Sequence, residues 1–330
     1  MRQMNFALAL LAAAALAACG GTGSSGGDQT HKVAFTQQVT FGDSLSDVGT
    51  YNVGAITAAG GGKFTINGDN TAANSAYTGL NWTEVLAAEL NLPKPCAAQT
   101  GLQGTDSATP ALDFNVPIVN NANCFNYAQG GARVTDPIGP GNRAVKPELG
   151  EMTLPVVSQV ANHLAKTGGK FTGTELVTIM AGGNDVLMQL GGLSAGATAA
   201  GTAAGQKAFP TLLIGGLVAT VPAANQATAQ QRIGLAVQTS AAAGGNQTAI
   251  ATAAITAAAQ LGANVQAAQA AAAKAGTDAQ AAGAKAGADY AAAQGPVLVA
   301  ALGKAGAELA AIVKTQLVAK GANYVVVNNL

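Results

Sequence analysis

At 330 residues the chain can bury a sizeable core, in one large domain or two smaller ones. Sixteen Lys and Arg balance sixteen Asp and Glu, charged residues are only 10% of the total, and no basic run occurs, so nothing marks a nucleic-acid partner. Aromatic residues reach 4% against 43 glycines, which marks part of the chain as compositionally biased.

The chain opens as an export signal. Arg2 supplies a short positive region, Phe6 to Leu16 is apolar, and Leu16-Ala17-Ala18-Cys19 ends the run. That tetrapeptide resembles the lipobox of bacterial lipoproteins, which implies removal of residues 1–18 and a lipid-anchored Cys19. Cleavage nearby as an ordinary secretory signal is the alternative. The apolar stretch falls short of the roughly 20 residues a bilayer needs. Gly20 stands where an Asp would favour inner-membrane retention, so the expected address is the cell envelope, at the outer membrane, with a periplasmic or secreted form as the alternative. Residues 19–31 are Gly/Ser-rich and read as a flexible tether. Export leaves Cys96 and Cys124 in a disulfide-permissive compartment, where they could pair or remain as two buried thiols.

Val33 to Phe41 predicts a strand running into a Gly42-Asp43-Ser44-Leu45 turn. Leu80 to Leu92 has helical apolar spacing and Pro93 stops it. Pro95 to Asn123 reads as loop, and Cys124 to Ala128 as a short strand ending in Gln129-Gly130-Gly131. Leu154 to Lys166 predicts an amphipathic helix, and Glu175 to Ala181 a buried strand ending in Gly182-Gly183-Asn184-Asp185. From about 191 to 295 the composition turns to Ala, Gly, Gln and Thr, which predicts helices broken by glycine with shallow packing. Val297 to Leu317 then marks a helix, Gly321 its cap, and Tyr324 to Val327 another strand. Such alternation predicts an α/β fold with a doubly wound, mostly parallel sheet and an Ala/Gly-rich helical insertion. Ligands of such sheets sit beyond the carboxyl ends of the strands, where Ser44, Gly130-Gly131 and Asn184 all fall.

These residues suit acyl transfer. A serine hydroxyl needs a base to take its proton and oriented donors to receive the oxyanion. Ser44 in a tight turn can present both its hydroxyl and its N–H, Gly131 an unobstructed N–H, and Asn184 a carboxamide. Phe41 to Gly49 (FGDSLSDVG) resembles the first block of the GDSL, or SGNH, hydrolase family. Asn126 to Ala132 (NYAQGGA) resembles its second block and Gly182 to Asp185 (GGND) its third, and Asn81-Trp82, after Gly62 to Gly68, is similar to the segment between the first two. The likeness covers about 33–190 and, weakly, 296–330. It implies a flavodoxin-like three-layer α/β/α domain over 32–330, with Ser44 as nucleophile and Asn184 and a block-two glycine, Gly131 in preference to Gly130, as oxyanion donors. It implies an esterase or lipase without cofactor or metal, acting on a lipid ester, a short acyl ester or an acetylated carbohydrate.

The departure is the family's D-x-x-H, which supplies acid and base and has no match here. Only His31, in the tether, and His163, in the helix before the third block, are present. His163 reads as a helix-surface residue. Asp43 and Asp47 read as braces of the turn, and Asp185 as fixing its own loop rather than binding metal. The expectation is therefore a fragment with little activity, and its alternative a non-catalytic surface lipoprotein that uses the fold for binding.

Overall fold

The computed structural model describes residues 33–64, 78–104 and 115–328. The chain divides into two units, 1–35 and 36–330. Of the first, only 33–35 are described, so Cys19, His31 and the leader lie outside the described residues.

Unit 36–330 is mixed α/β. Strand β1 (Gln38–Gly42) is buried along its length, as expected of a parallel strand covered on both faces. A short helix α1 (Gly54–Ala58) and helix α2 (Trp82–Glu89) follow. Asn81 begins α2 with a capping box: its side chain accepts from Thr83 N–H, and Glu84 accepts from Asn81 N–H. Next come β2 (Gln99–Gln103) and β3 (Asn115–Asn120), antiparallel to each other, then α3 (Val156–Lys166) and β4 (Leu176–Met180). Helices α4 (Gly183–Val218), α5 (Gln226–Ala242), α6 (Gln247–Ala259) and α7 (Val265–Ile312) lead to β5 (Tyr324–Val327). β1, β4 and β5 form a parallel sheet in the order β1-β4-β5. On the other side of β1, the segment around Asn126 pairs in parallel with Thr40.

The core places Val39 and Phe41 of β1 and Val177 and Ile179 of β4 against Val156 and Val160 of α3, against Ile312 at the end of α7, and against Leu317 in the turn that follows it. On α3, Val156, Gln159, Val160 and His163 make one buried stripe at helical spacing. A disulfide joins Cys96 and Cys124 with an S–S distance of 2.07 Å, fastening the entry of β2 to the chain that pairs with β1. It closes a span of 28 residues, for which chain entropy gives about 3–4 kcal/mol. Reduction, or Cys96→Ser, should lower the unfolding free energy by about that amount in a denaturant titration. No change on reduction would show that the two thiols are free.

Several elements differ from the sequence reading. β1 begins at Gln38, not Val33, and the stretch read as loop contains β2 and β3. Gly101 and Pro117 interrupt the alternation there, and Gly101 lies at a register shift where an added Cβ would sit 2.8 Å from Ile118 Cα. The Ala-rich region does break at glycines, at Gly244-Gly245 between α5 and α6 and at Gly262 between α6 and α7, but α4 and α7 run through their own glycines and lie against each other. A Cβ on Gly283 would sit 2.7 Å from the Gly201 carbonyl, and one on Gly287 3.0 Å from that of Ala197. Here glycine lets two backbones approach, which offsets its poor helix propensity. Nor is the packing uniformly shallow: Phe209, Leu213 and Leu217 of α4 share a core with Ile233 and Val237 of α5 and Ile250 of α6.

The stretch Val265–Lys320 is long and apolar enough to cross a membrane by length and composition. It also carries Lys274–Asp278, Lys285–Asp289 and Lys304–Glu308 ion pairs at i,i+4, a pattern of water-facing helices.

Candidate active site

The site grows from the carboxyl end of β1. Gly42 opposes Met180 of β4, and a Cβ on it would lie 2.4 Å from the Met180 carbonyl, so only glycine fits. Gln159 of α3 clamps the same residue: its Oε1 accepts from Gly42 N–H at 2.8 Å and its Nε2 donates to Gly42 O at 2.8 Å. The chain then turns, with Ser46 N–H donating to Asp43 O and Asp47 N–H to Ser44 O. Asp43, Ser46 and Asp47 are buried while Ser44 between them is exposed. The turn therefore lifts one hydroxyl out of a fixed frame.

Side chains brace that frame. Asp47 accepts from Gly49 N–H at 2.8 Å and Thr50 N–H at 2.7 Å on one oxygen, and from Gly130 N–H at 2.9 Å on the other. Asn126 donates to Ser46 O and Asn81 to Leu45 O, each at 2.9 Å. Asp43 accepts from Leu45 N–H at 3.1 Å inside the turn, so Asp43 and Asp47 both act as braces. Burial pushes both carboxyls up to about 6.

The Asp47 bond separates the two glycines of the second block. Gly130 N–H is taken by Asp47, its carbonyl accepts from Tyr51 Oη–H at 3.0 Å, and a Cβ on it would lie 3.9 Å from Ser44 Cβ. Gly131 N–H has no acceptor among the described residues, and the residue holds φ +76°, which suits glycine. Asn184 stands in the first turn of α4, directly after β4, and donates one carboxamide hydrogen to Ala132 O at 2.9 Å. Its second hydrogen and the N–H of Ser44 likewise have no acceptor among the described residues. Ser44 and the Gly130-Gly131 turn are thus brought together at the carboxyl edge of the sheet, and Asn184 is bonded to that turn's next residue.

His163 is not a helix-surface residue. It is 0% exposed, stacked on Phe171 at 4.5 Å between ring centroids and edge-on to Phe41 and Tyr127. Its Nδ1 lies 3.3 Å from Tyr127 Oη, its Nε2 has no partner among the described residues, and burial lowers its pKa to about 4. It is a core residue, and none of its hydrogen bonds reaches Ser44. Asp185 holds not its own loop but the 132–134 segment, accepting from Val134 N–H and Arg133 Nε–H. Residues 65–68 of the segment leading to Asn81 lie outside the described residues. Among the described residues no three His, Cys, Asp or Glu side chains group as a metal site would require.

Sequence reasoning missed Gln159, Tyr51, Arg133 and Glu151. Each acts through a tertiary contact that no local pattern announces. Glu151 packs against Gly131 and Gly141, and burial together with the nearby Asp47 charge raises its carboxyl to about 7. Comparison with protein-family models returns no match, and no curated protein matches the chain.

Proposed function

We propose that this chain is a serine ester hydrolase of the GDSL/SGNH type, in which Ser44 is the nucleophile and its own N–H, Gly131 N–H and the Asn184 carboxamide receive the oxyanion. The observation that carries this reading is that an exposed serine shares one sheet edge with three N–H donors lacking acceptors among the described residues. Buried groups of the Gly131 and Asn184 kind are ordinarily paired, so their unspent donors suit a charge that forms only during reaction. In this reading Ser44 Oγ bonds to the acyl carbon, the alcohol departs with a proton, and water releases the acid. The sheet order, with a further parallel segment beside β1, is compatible with the family's three-layer domain over 32–330. Export, a lipid anchor at Cys19 and an envelope location belong to the same proposal, with a lipid ester, short acyl ester or acetylated carbohydrate as substrate.

A second reading has a specific observation behind it. The only described histidine is locked in the core, so among the described residues no imidazole is bonded to Ser44. Without one, the donors alone support about 10³–10⁴-fold catalysis over water. A protein that binds esters without turning them over would share this site. Hydrolysis of a short chromogenic ester separates the two. The enzyme reading expects slow turnover that Ser44→Ala removes and Asn184→Ala lowers about 100–1000-fold. Identical background rates for all three proteins favour the binding reading.

A further inference from the structure

We infer that Asp185 is a positioning residue for the oxyanion donors, setting the Gly131 amide relative to the Asn184 carboxamide; the inference rests on the acyl-transfer reading above. Asn184 and Asp185 are consecutive in the first turn of α4, both nearly fully buried, and both aim at the segment after Gly131. Asn184 holds Ala132 O at 2.9 Å, while Asp185 holds Arg133 Nε–H at 3.0 Å and Val134 N–H at 3.1 Å. Three successive residues downstream of Gly131 are thereby tied to the element that carries the other donor. The Gly131 N–H shares its peptide plane with the Gly130 carbonyl, which Tyr51 Oη–H holds on one side, while the ties at 132–134 hold the chain on the other, so the two together set the amide's direction.

The tie extends outward. Arg133 also reaches Asp136 at 2.7 Å and Ile138 O at 3.3 Å, and Thr135 Oγ1–H donates to Glu308 of α7 at 2.6 Å. Asp185 is therefore the innermost anchor of a loop whose far end rests on the last turns of α7. A carboxylate suits that place because it accepts on both oxygens while facing a guanidinium. An ångström of misplacement at a reacting group can cost about 100-fold in rate, so loosening this anchor affects turnover more than binding.

The test uses the full chain with Asp185→Ala and Asp185→Asn. Steady-state hydrolysis of p-nitrophenyl acetate is corrected by Ser44→Ala, and amide spectra are assigned at Gly131 and the Asn184 side chain. Asp185→Ala is expected to lower the Ser44-dependent kcat about 10–100-fold with KM within about threefold, and to shift or broaden both resonances. Asp185→Asn keeps an acceptor for Val134 but not for Arg133, and about a three- to tenfold loss of kcat is expected. A kcat within threefold of wild type for folded Asp185→Ala, with both resonances in place, overturns the proposal. Should that variant not fold, full kcat and unmoved resonances in Asp185→Asn overturn it equally. If turnover proves independent of Ser44, the acyl-transfer reading fails, and the two resonances alone decide whether Asp185 positions the loop.

Discussion

Gly131→Ala is expected to destabilise the protein by about 2–5 kcal/mol, from left-handed backbone strain and from overpacking together. The residue sits at φ +76°, where a Cβ crowds the following carbonyl. The added atom would also lie 2.3 Å from Pro140 O and 2.6 Å from Thr153 Cγ2. The first neighbour is backbone and the second belongs to a fully buried residue, so neither can give way cheaply. Gly168 supplies the control. It holds φ +70° but has nothing within 4 Å of an added Cβ, so Gly168→Ala should incur only the backbone cost, about 1–2 kcal/mol. Urea titrations of both variants separate strain from space. Equal losses at the two positions would mean that the Gly131 turn relaxes freely.

The second large effect is on the dependence of stability on pH. Asp43 and Asp47 are raised from 3.8 to about 6, and Glu151 from 4.5 to about 7. Between those limits the folded chain holds protons that the unfolded chain has released, so stability falls as pH rises through the window. His163 works in the opposite sense. Lowered from 6.5 to about 4, it stays neutral in the fold while the unfolded imidazole is charged, so its contribution rises with pH over that range. Glu175 is lowered, and its contribution is lost as pH falls below the ordinary carboxylate range. Three carboxyls outweigh one imidazole. Unfolding free energy should drop on the order of 2–5 kcal/mol between pH 4.5 and 7.5. Glu151→Gln should flatten the upper part of that slope, and His163→Phe should steepen the lower part. Stability that climbs with pH across the window in the wild type would contradict these assignments.

What the sequence made legible was whatever rests on local pattern. The strand before Gly42-Asp43-Ser44-Leu45, the α3 stripe, the left-handed cap at Gly321 and β5 each carry their cause within a few residues. The sharing of one edge by Ser44 and Asn184 followed from their places after strands that pair as neighbours. Other features depend on partners remote in sequence. Gln159 looks like any helix glutamine until β1 brings Gly42 against it. His163 falls on the same stripe as Val156 and Val160, so the spacing pointed inward; only its polar ring argued for the surface, and Phe41, Tyr127 and Phe171 enclose it. The glycines of α4 and α7 count as helix breakers locally, yet their benefit lies in the opposite helix. Asp185 was visible as a brace, but its target, the 132–134 segment, lies some fifty residues earlier.

Acyl transfer at this site rests on the reactivity of one hydroxyl. Incubating the chain for hours with an alkyl fluorophosphonate, then mapping it by mass spectrometry, asks whether Ser44 Oγ bonds to phosphorus as fluoride leaves and the proton passes to solvent. A single adduct is expected on the peptide containing Ser44, absent from Ser44→Ala and slower to form in Asn184→Ala. Labelling spread over other serines, or equal in the wild type and Ser44→Ala, would contradict acyl transfer there.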